Sequence, residues 1–88
     1  MMHGMGGEMH MEGMVGDMDK LMAAPDFDME FLSQMIVHHE MAVMMGRMLA
    51  EGTKRSEMKV LADQIVTSQS LEIEMMRSWL MAWYDGGN

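Results

Sequence analysis

The chain has 88 residues, of which 18 are methionine and none is cysteine, and its formal net charge at pH 7 is -8. A chain of this length forms one small domain that buries only a modest core by itself, so a partner subunit is expected. The negative charge disfavours binding to nucleic acid or to anionic membrane surfaces and favours cations. The lack of cysteine excludes disulfides, thiolate zinc sites and catalytic thiols, so soft-metal chemistry must use thioethers.

The first 16 residues are rich in glycine, methionine and histidine and show neither helical nor strand periodicity. We predict a flexible tail over residues 1–16, followed by a helical domain over residues 17–88. No export signal is visible at the start, and no apolar run reaches the length needed for membrane insertion. A short helix is predicted over residues 17–24, since Met18 begins an apolar repeat at helical spacing and Pro25 interrupts it.

A long helix is predicted next, over residues 27–51. Asp26 can accept hydrogen bonds from the free amides of its first turn, which makes it a suitable N-cap. The helix is expected to end at Gly52, because glycine tolerates the left-handed conformation that often closes a helix.

A second long helix is predicted over residues 55–84, with Thr53 or Ser56 as its cap. The short connection predicts an all-α fold in which the two long helices form an antiparallel hairpin. Each helix has an apolar face broader than a two-helix contact covers, so we expect two hairpins to form a four-helix bundle as a homodimer or higher oligomer. The alternative is a monomer whose N-terminal segment folds back over the hairpin.

The stretch MIVHHEMAVMM places His38 and His39 among methionines on the first long helix. Side chains three or four residues apart point the same way, so His38 can share one ion with Met35 and Met41, or with Met41 and Met45. Adjacent histidines diverge by about 100°, so the other one reaches a second ion, the facing helix or a carboxylate. Imidazole with thioether favours Cu(I), and Ag(I) by the same softness, while imidazole also suits Cu(II). The alternative is a core of gap-filling methionines and hydrogen-bonded histidines.

Further candidates lie elsewhere in the chain. Met48 continues the methionine strip beside His38, and Met76 is the natural thioether on the second long helix. Gln69 and Glu72 interrupt the apolar face of that helix, so Glu72 is expected to accept from an imidazole and orient a metal-binding histidine, unless both residues sit at a wet rim. The tail and the short helix supply a looser set of candidate ligands: His3, Met5, Met9, His10, Met11, Met14 and Met18.

Catalytic arrangements are not found in the sequence. No glutamate stands three residues before either paired histidine, as di-iron carboxylate bundles require, and the His-Glu-x-x-His spacing of zinc proteases is missing. We therefore expect no enzymatic activity. The sequence predicts a copper-binding protein that sequesters or shuttles Cu(I) for metal tolerance or trafficking. The alternative is a methionine-rich helical module that docks a partner protein without a physiological metal.

Two stretches resemble the bacterial domain-of-unknown-function family 305, ferritin-like proteins rich in methionine and histidine and linked to copper handling. They are FDMEFLSQMIVHHEMAVMM, residues 27–45, and LADQIVTSQSLEIEMMRSWL, residues 61–80. The resemblance implies a helical bundle and a periplasmic or cell-envelope location. It also implies copper binding at the family's motif positions, which fall on Met35, His38, His39, Met45 and Met76. Longer members look like two tandem hairpins, whereas this chain resembles one, which leaves the other half of the bundle to a second subunit.

Overall fold

The computed structural model describes residues 17–85, and all of the regular structure in that range is helical. Helix α1 spans Met18–Ala23, α2 spans Phe27–Gly52 and α3 spans Ser56–Leu80, and a π-helical turn over Met81–Asp85 follows. The long helices α2 and α3 pack against each other as an antiparallel hairpin, and α1 contacts α2. The predicted all-α fold class is thus confirmed. The tail predicted over residues 1–16 lies outside the described residues.

The start of α2 follows from its cap. The Asp26 carboxylate accepts from the Met29 backbone N–H at 3.1 Å, as expected from the sequence. Asp17 caps α1 in the same way, through the backbone N–H of Lys20 at 3.0 Å. Each cap satisfies an amide that has no partner within its helix, and each places negative charge at the positive end of the helix dipole.

The connection between α2 and α3 differs from the prediction. Gly52 belongs to the last helical turn and is not left-handed, because the chain leaves the helix through Thr53 in an extended conformation with φ -89° and ψ 151°. Neither predicted residue caps α3: Arg55 precedes that helix without a side-chain cap. The Thr53 hydroxyl instead accepts from the Arg55 N–H at 3.1 Å, which stabilises the connection itself. The extended residues of the connection therefore make a left-handed glycine unnecessary.

The core lies along the contact between α2 and α3. Its buried cluster comprises Leu32, Ile36, Val43, Ile73 and Met76. Toward the hairpin connection the two backbones approach closely, where a Cβ on the buried Gly46 would lie 3.0 Å from Val66 Cγ2 and 3.1 Å from Ile65 Cγ2. The facing Ala62 is completely buried. Small residues at these two positions thus set the separation of the helices.

Side-chain contacts also fasten the two ends of the described chain to the hairpin. The Gln34 side chain accepts from the Asp17 N–H at 2.7 Å and donates to the Asp17 carbonyl at 3.0 Å, which holds α1 against α2. At the other end, the Tyr84 hydroxyl donates to Asp26 at 2.9 Å. Within the described residues, no helix has both the length and the apolar character needed to cross a bilayer.

Gly46 offers a direct test of the close helix contact. Gly46→Leu should lower the free energy of unfolding by about 2 kcal/mol or more, because the added side chain has to displace packed methyl groups of α3. The measurement is urea unfolding at matched protein concentration. The control is Gly52→Ala, where the added Cβ meets nothing within 4 Å, and there we expect a change below about 1 kcal/mol. Equal effects at the two positions would contradict a packing role for Gly46.

The contact between Tyr84 and Asp26 predicts a dependence on alkaline pH. Desolvation, the hydrogen bond to Asp26 and the nearby charges of Asp26 and Asp28 raise the pKa of Tyr84 above its usual value. A group with a raised folded-state pKa contributes stability below its unfolded pKa of about 10 and loses it as the pH rises through the folded value. Tyr84→Phe should therefore be less stable than the parent near pH 7, and this difference should vanish in strongly alkaline solution. Thermal unfolding of both proteins across that range measures it, and a constant difference would contradict the contact.

Candidate metal centre

His39 is buried between the two long helices, and both of its ring nitrogens are engaged. Nδ1 lies 2.8 Å from the Met35 carbonyl oxygen, and Nε2 lies 2.6 Å from Oε1 of Glu72 on α3. A carbonyl oxygen only accepts hydrogen bonds, so Nδ1 carries a hydrogen, and a second hydrogen lies between Nε2 and the carboxylate. A metal ion can therefore reach Nε2 only after Glu72 has moved away.

Glu72 makes the imidazole contact that the sequence suggested. Its side chain is nevertheless 47% exposed, so the carboxylate lies at the rim of the helix contact with one side toward solvent. Glu72 therefore matches both alternatives considered from the sequence: it is hydrogen-bonded to a histidine, and it also lies at the solvent-exposed rim. Gln69, one turn earlier on α3, is half-buried and makes no hydrogen bond to either histidine within residues 17–85.

His38 is in the opposite situation. Its Nδ1 atom is buried and has no hydrogen-bond partner within the described part of the chain. The rings of His38 and His39 have centroids 6.0 Å apart and planes inclined by 64°. A buried ring nitrogen without a partner costs free energy, and a bound metal ion would supply that partner.

The candidate methionines occupy three environments. Met76 is buried in the core, and Met35 is half-buried and packs against the cluster that contains it. Met41, one helical turn after His38, is half-buried. Met45 and Met48 are exposed and line a shallow groove at the hairpin connection, together with Leu49, Gly52 and Thr53.

The remaining candidates are not brought to the histidine pair by the described structure. Met18 is exposed on α1. The other tail candidates lie outside the described residues: His3, Met5, Met9, His10, Met11 and Met14. Within residues 17–85, no group of three or more histidine, aspartate or glutamate side chains is arranged to hold a metal ion. A centre in this part of the chain therefore needs thioether donors, which select soft ions.

One contact at the site was not foreseen from the sequence. The Met35 carbonyl accepts from the ring of His39, four residues later on the same helix. The four-residue spacing between Met35 and His39 could have predicted this contact, since it places a side chain beside the backbone carbonyl of the preceding helical turn. The contact matters because it fixes which nitrogen of His39 faces α3.

Comparison with known proteins identifies the family. A model described as "Domain of unknown function (DUF305)" matches residues 1–85. The chain belongs to this family. The resemblance noted from the two sequence stretches is thereby confirmed.

Solved structures similar to this DUF305 chain include those titled CopM in the Cu(I)-bound, Cu(II)-bound and Ag-bound forms. Each is 51% identical to the chain, with TM-scores of 0.73, 0.75 and 0.74. The Cu(I)-bound structure aligns with 77% of this chain and 49% of its own, and the Cu(II)-bound structure with 78% and 52%. The Ag-bound structure aligns with 77% of this chain and 50% of its own. An uncharacterized protein, L153 of Acanthamoeba polyphaga mimivirus, is 42% identical over 53 residues, or 60% of this chain and 35% of that protein. The DUF305 chain thus shares the CopM helical fold and spans about half the length of the CopM structures.

The contact between His39 and Glu72 can be tested by substitution. Glu72→Ala should lower the free energy of unfolding by about 1 kcal/mol, because it leaves a buried ring nitrogen without its partner while water reaches the rim. Glu72→Gln should lose less, since its amide can donate to Nε2. Urea unfolding measures both variants. Glu74→Ala, which removes an exposed carboxylate two residues further along α3, is the control, and a loss as large there as in Glu72→Ala would contradict the role of the contact.

Proposed function

We propose that this chain binds Cu(I) and sequesters or shuttles it for copper tolerance or trafficking, with Ag(I) and Cu(II) as further ions that it accepts. The observation that carries the proposal is the buried, unpartnered Nδ1 of His38 on a helix that places methionines one turn before and one turn after it. The CopM structures support it, because they are Cu(I)-bound, Cu(II)-bound and Ag-bound forms of a protein 51% identical to this one.

The first ion is assigned to His38 with Met35 and Met41. All three lie on α2 at spacings of three residues, which brings their side chains to one side of the helix. A neutral imidazole with two thioethers is a soft donor set that suits a monovalent coinage-metal ion. This donor set also disfavours hard ions such as Mg²⁺ and Ca²⁺, which prefer oxygen ligands.

His39 joins the ligand set when Glu72 moves away. The half-exposed Glu72 carboxylate can rotate into water and carry the shared hydrogen away to solvent, which frees the Nε2 lone pair for metal while the Met35 carbonyl continues to hold Nδ1. Glu72, with Gln69 beside it, is thus a positioning residue that keeps His39 oriented in the absence of metal. Met76 supplies a thioether from α3.

The exposed and tail residues are proposed to serve in capture and exchange. Met45 and Met48 present thioethers at the accessible end of the hairpin. The candidates from His3 to Met14, with Met18, can wrap an ion whose binding supplies the ordering free energy. Thioethers carry no proton, so the methionines in this set bind soft ions without competition from protons, whereas His3 and His10 coordinate only as neutral imidazoles.

Assembly, location and reaction type complete the proposal. We assign the chain to the periplasm or cell envelope, as the family resemblance implies, and to a homodimer or higher oligomer that forms a four-helix bundle. Its role is binding without catalysis.

A methionine-rich docking module is the competing function. It is favoured by exposed methionines on the outer surface, Met44 and Met81, which are 55% and 61% exposed and lie away from the histidine pair. Such flexible thioether surfaces suit adaptable protein contacts. This function requires no metal, so metal titration separates the two.

The deciding experiment is a Cu(I) titration of the full chain against a competing chelator. His38→Ala should weaken binding at least about tenfold, and the His38→Ala, His39→Ala double variant should weaken it further, because an imidazole donor is lost at each step. Met44→Leu on the outer surface is the control and should bind like the parent. Equal affinity in the parent and the double variant would remove the helical site, and the absence of Cu(I) binding in the parent itself would favour the docking module.

A further inference from the structure

One side of the hairpin carries exposed apolar side chains on both α2 and α3, and His38 lies on this side. The 100° step of a helix and the contact from His39 to Glu72 mark this side on both α2 and α3. Large side chains that are 38–56% exposed define it, and we call it the site face: Phe27, Phe31, Met45, Leu61, Trp79 and Trp83. His38 and Glu72 lie between them.

The aromatic residues of the site face are paired. Phe27 and Phe31 stack with ring centroids 6.1 Å apart, and Trp79 and Trp83 stack with centroids 5.8 Å apart. Stacked aromatic side chains form a rigid apolar surface, and they lose little conformational entropy when a partner covers them. These six side chains remain 38–56% exposed while α1 is in place, and α1 contacts α2, through Gln34, rather than α3.

Charge separates the two sides of the hairpin. The charged group near the middle of the site face is Glu72, and its carboxylate is already bonded to His39. The opposite side carries a groove between the helices that contains two arginines and two glutamates: Glu40, Arg47, Glu74 and Arg77. A partner that covers the site face therefore buries apolar surface without stranding an unpaired charge, whereas the opposite side suits water.

The length and area of the site face indicate which partner can cover it. A 26-residue helix is about 39 Å long, and two helices side by side present a face on the order of 800 Å². That area matches one partner's share of a standard stable interface. The tail, residues 1–16, would reach only about 24 Å as a helix, contains no aromatic residue and is rich in glycine. A second hairpin has the matching length and the matching apolar surface.

We propose that a second copy of this chain packs on the site face and that the copper centre is complete only there, so that metal binding and dimerisation are linked. The inference rests on the proposed function, because it concerns the same ion. In one copy, His38 is only half-buried, although its Nδ1 is buried. The second copy covers the exposed part of this side chain and brings an equivalent set of imidazole and thioether donors to the same surface. Linkage is reciprocal: dimerisation raises metal affinity by the same factor by which the ion tightens the dimer.

The test combines sedimentation equilibrium of the full chain, with and without Ag(I), and Ag(I) affinity measured by competition at several protein concentrations. The expected result is a dimer that Ag(I) tightens, together with an affinity for Ag(I) that rises with protein concentration. Phe31→Glu, on the site face but not a proposed ligand, should weaken the dimer and Ag(I) binding, each at least about tenfold. Val37→Glu is the control and should leave the dimer and Ag(I) binding unchanged, because Val37 is a comparably exposed apolar residue away from the site face.

Leu61→Glu places the same charge on the α3 part of the site face and should weaken the dimer in the same way. Circular dichroism verifies that each variant is folded. A dimer whose Ag(I) affinity does not depend on protein concentration would overturn the inference, since the site would be complete in one copy. A monomer under all conditions would also overturn it, because no second copy would then cover the site face. A dimer that binds neither Ag(I) nor Cu(I) would overturn the proposed function as well, and the inference with it. Because metal binding and assembly are read separately, these failures are distinguishable.

Discussion

The hydrogen-bonded position of His39 determines how the rest of the site is arranged. The Met35 carbonyl holds one ring nitrogen and Glu72 holds the other, so the side chain is fixed in the contact between α2 and α3. Because consecutive residues of a helix diverge by about 100°, fixing His39 there places His38 toward the open side of the hairpin. One histidine of the pair therefore contributes to the fold, and its neighbour is left with a buried nitrogen that the described protein does not satisfy.

Local sequence signals determined much of the fold correctly. Helical spacing of apolar residues and the carboxylate of Asp26 were sufficient to predict the hairpin and the start of α2. The connection was harder, because glycine permits a left-handed closure without requiring it. Thr53 took an extended conformation, and its hydroxyl bonded within the connection rather than to α3. Several such conformations differ little in energy, so tertiary packing chooses among them.

The candidate site was also only partly predictable from the sequence. A helical wheel places Glu72 on the face that meets α2, and the cost of an unpaired carboxylate predicts an imidazole partner. Both histidines fall on the same broad apolar side of the wheel, so the wheel alone does not decide which of them meets Glu72, whereas the packing of α2 against α3 turns His39 toward it. Here the close approach at Gly46 and Ala62 sets the helix separation. The histidine pair thus depends on small residues two turns further along α2.

The contact between Tyr84 and Asp26 has a consequence for how such hairpins are duplicated. It shows that the end of the described helical segment lies beside the start of α2, at the end of the hairpin remote from the connection. When the two ends of a folded unit are adjacent, a repeated gene segment can encode a second unit after a short linker, and neither unit has to change its internal path. Fusion of two hairpins into one polypeptide is therefore geometrically simple in this architecture. In the proposed dimer, a second chain would cover the surface that a second hairpin covers in a tandem protein.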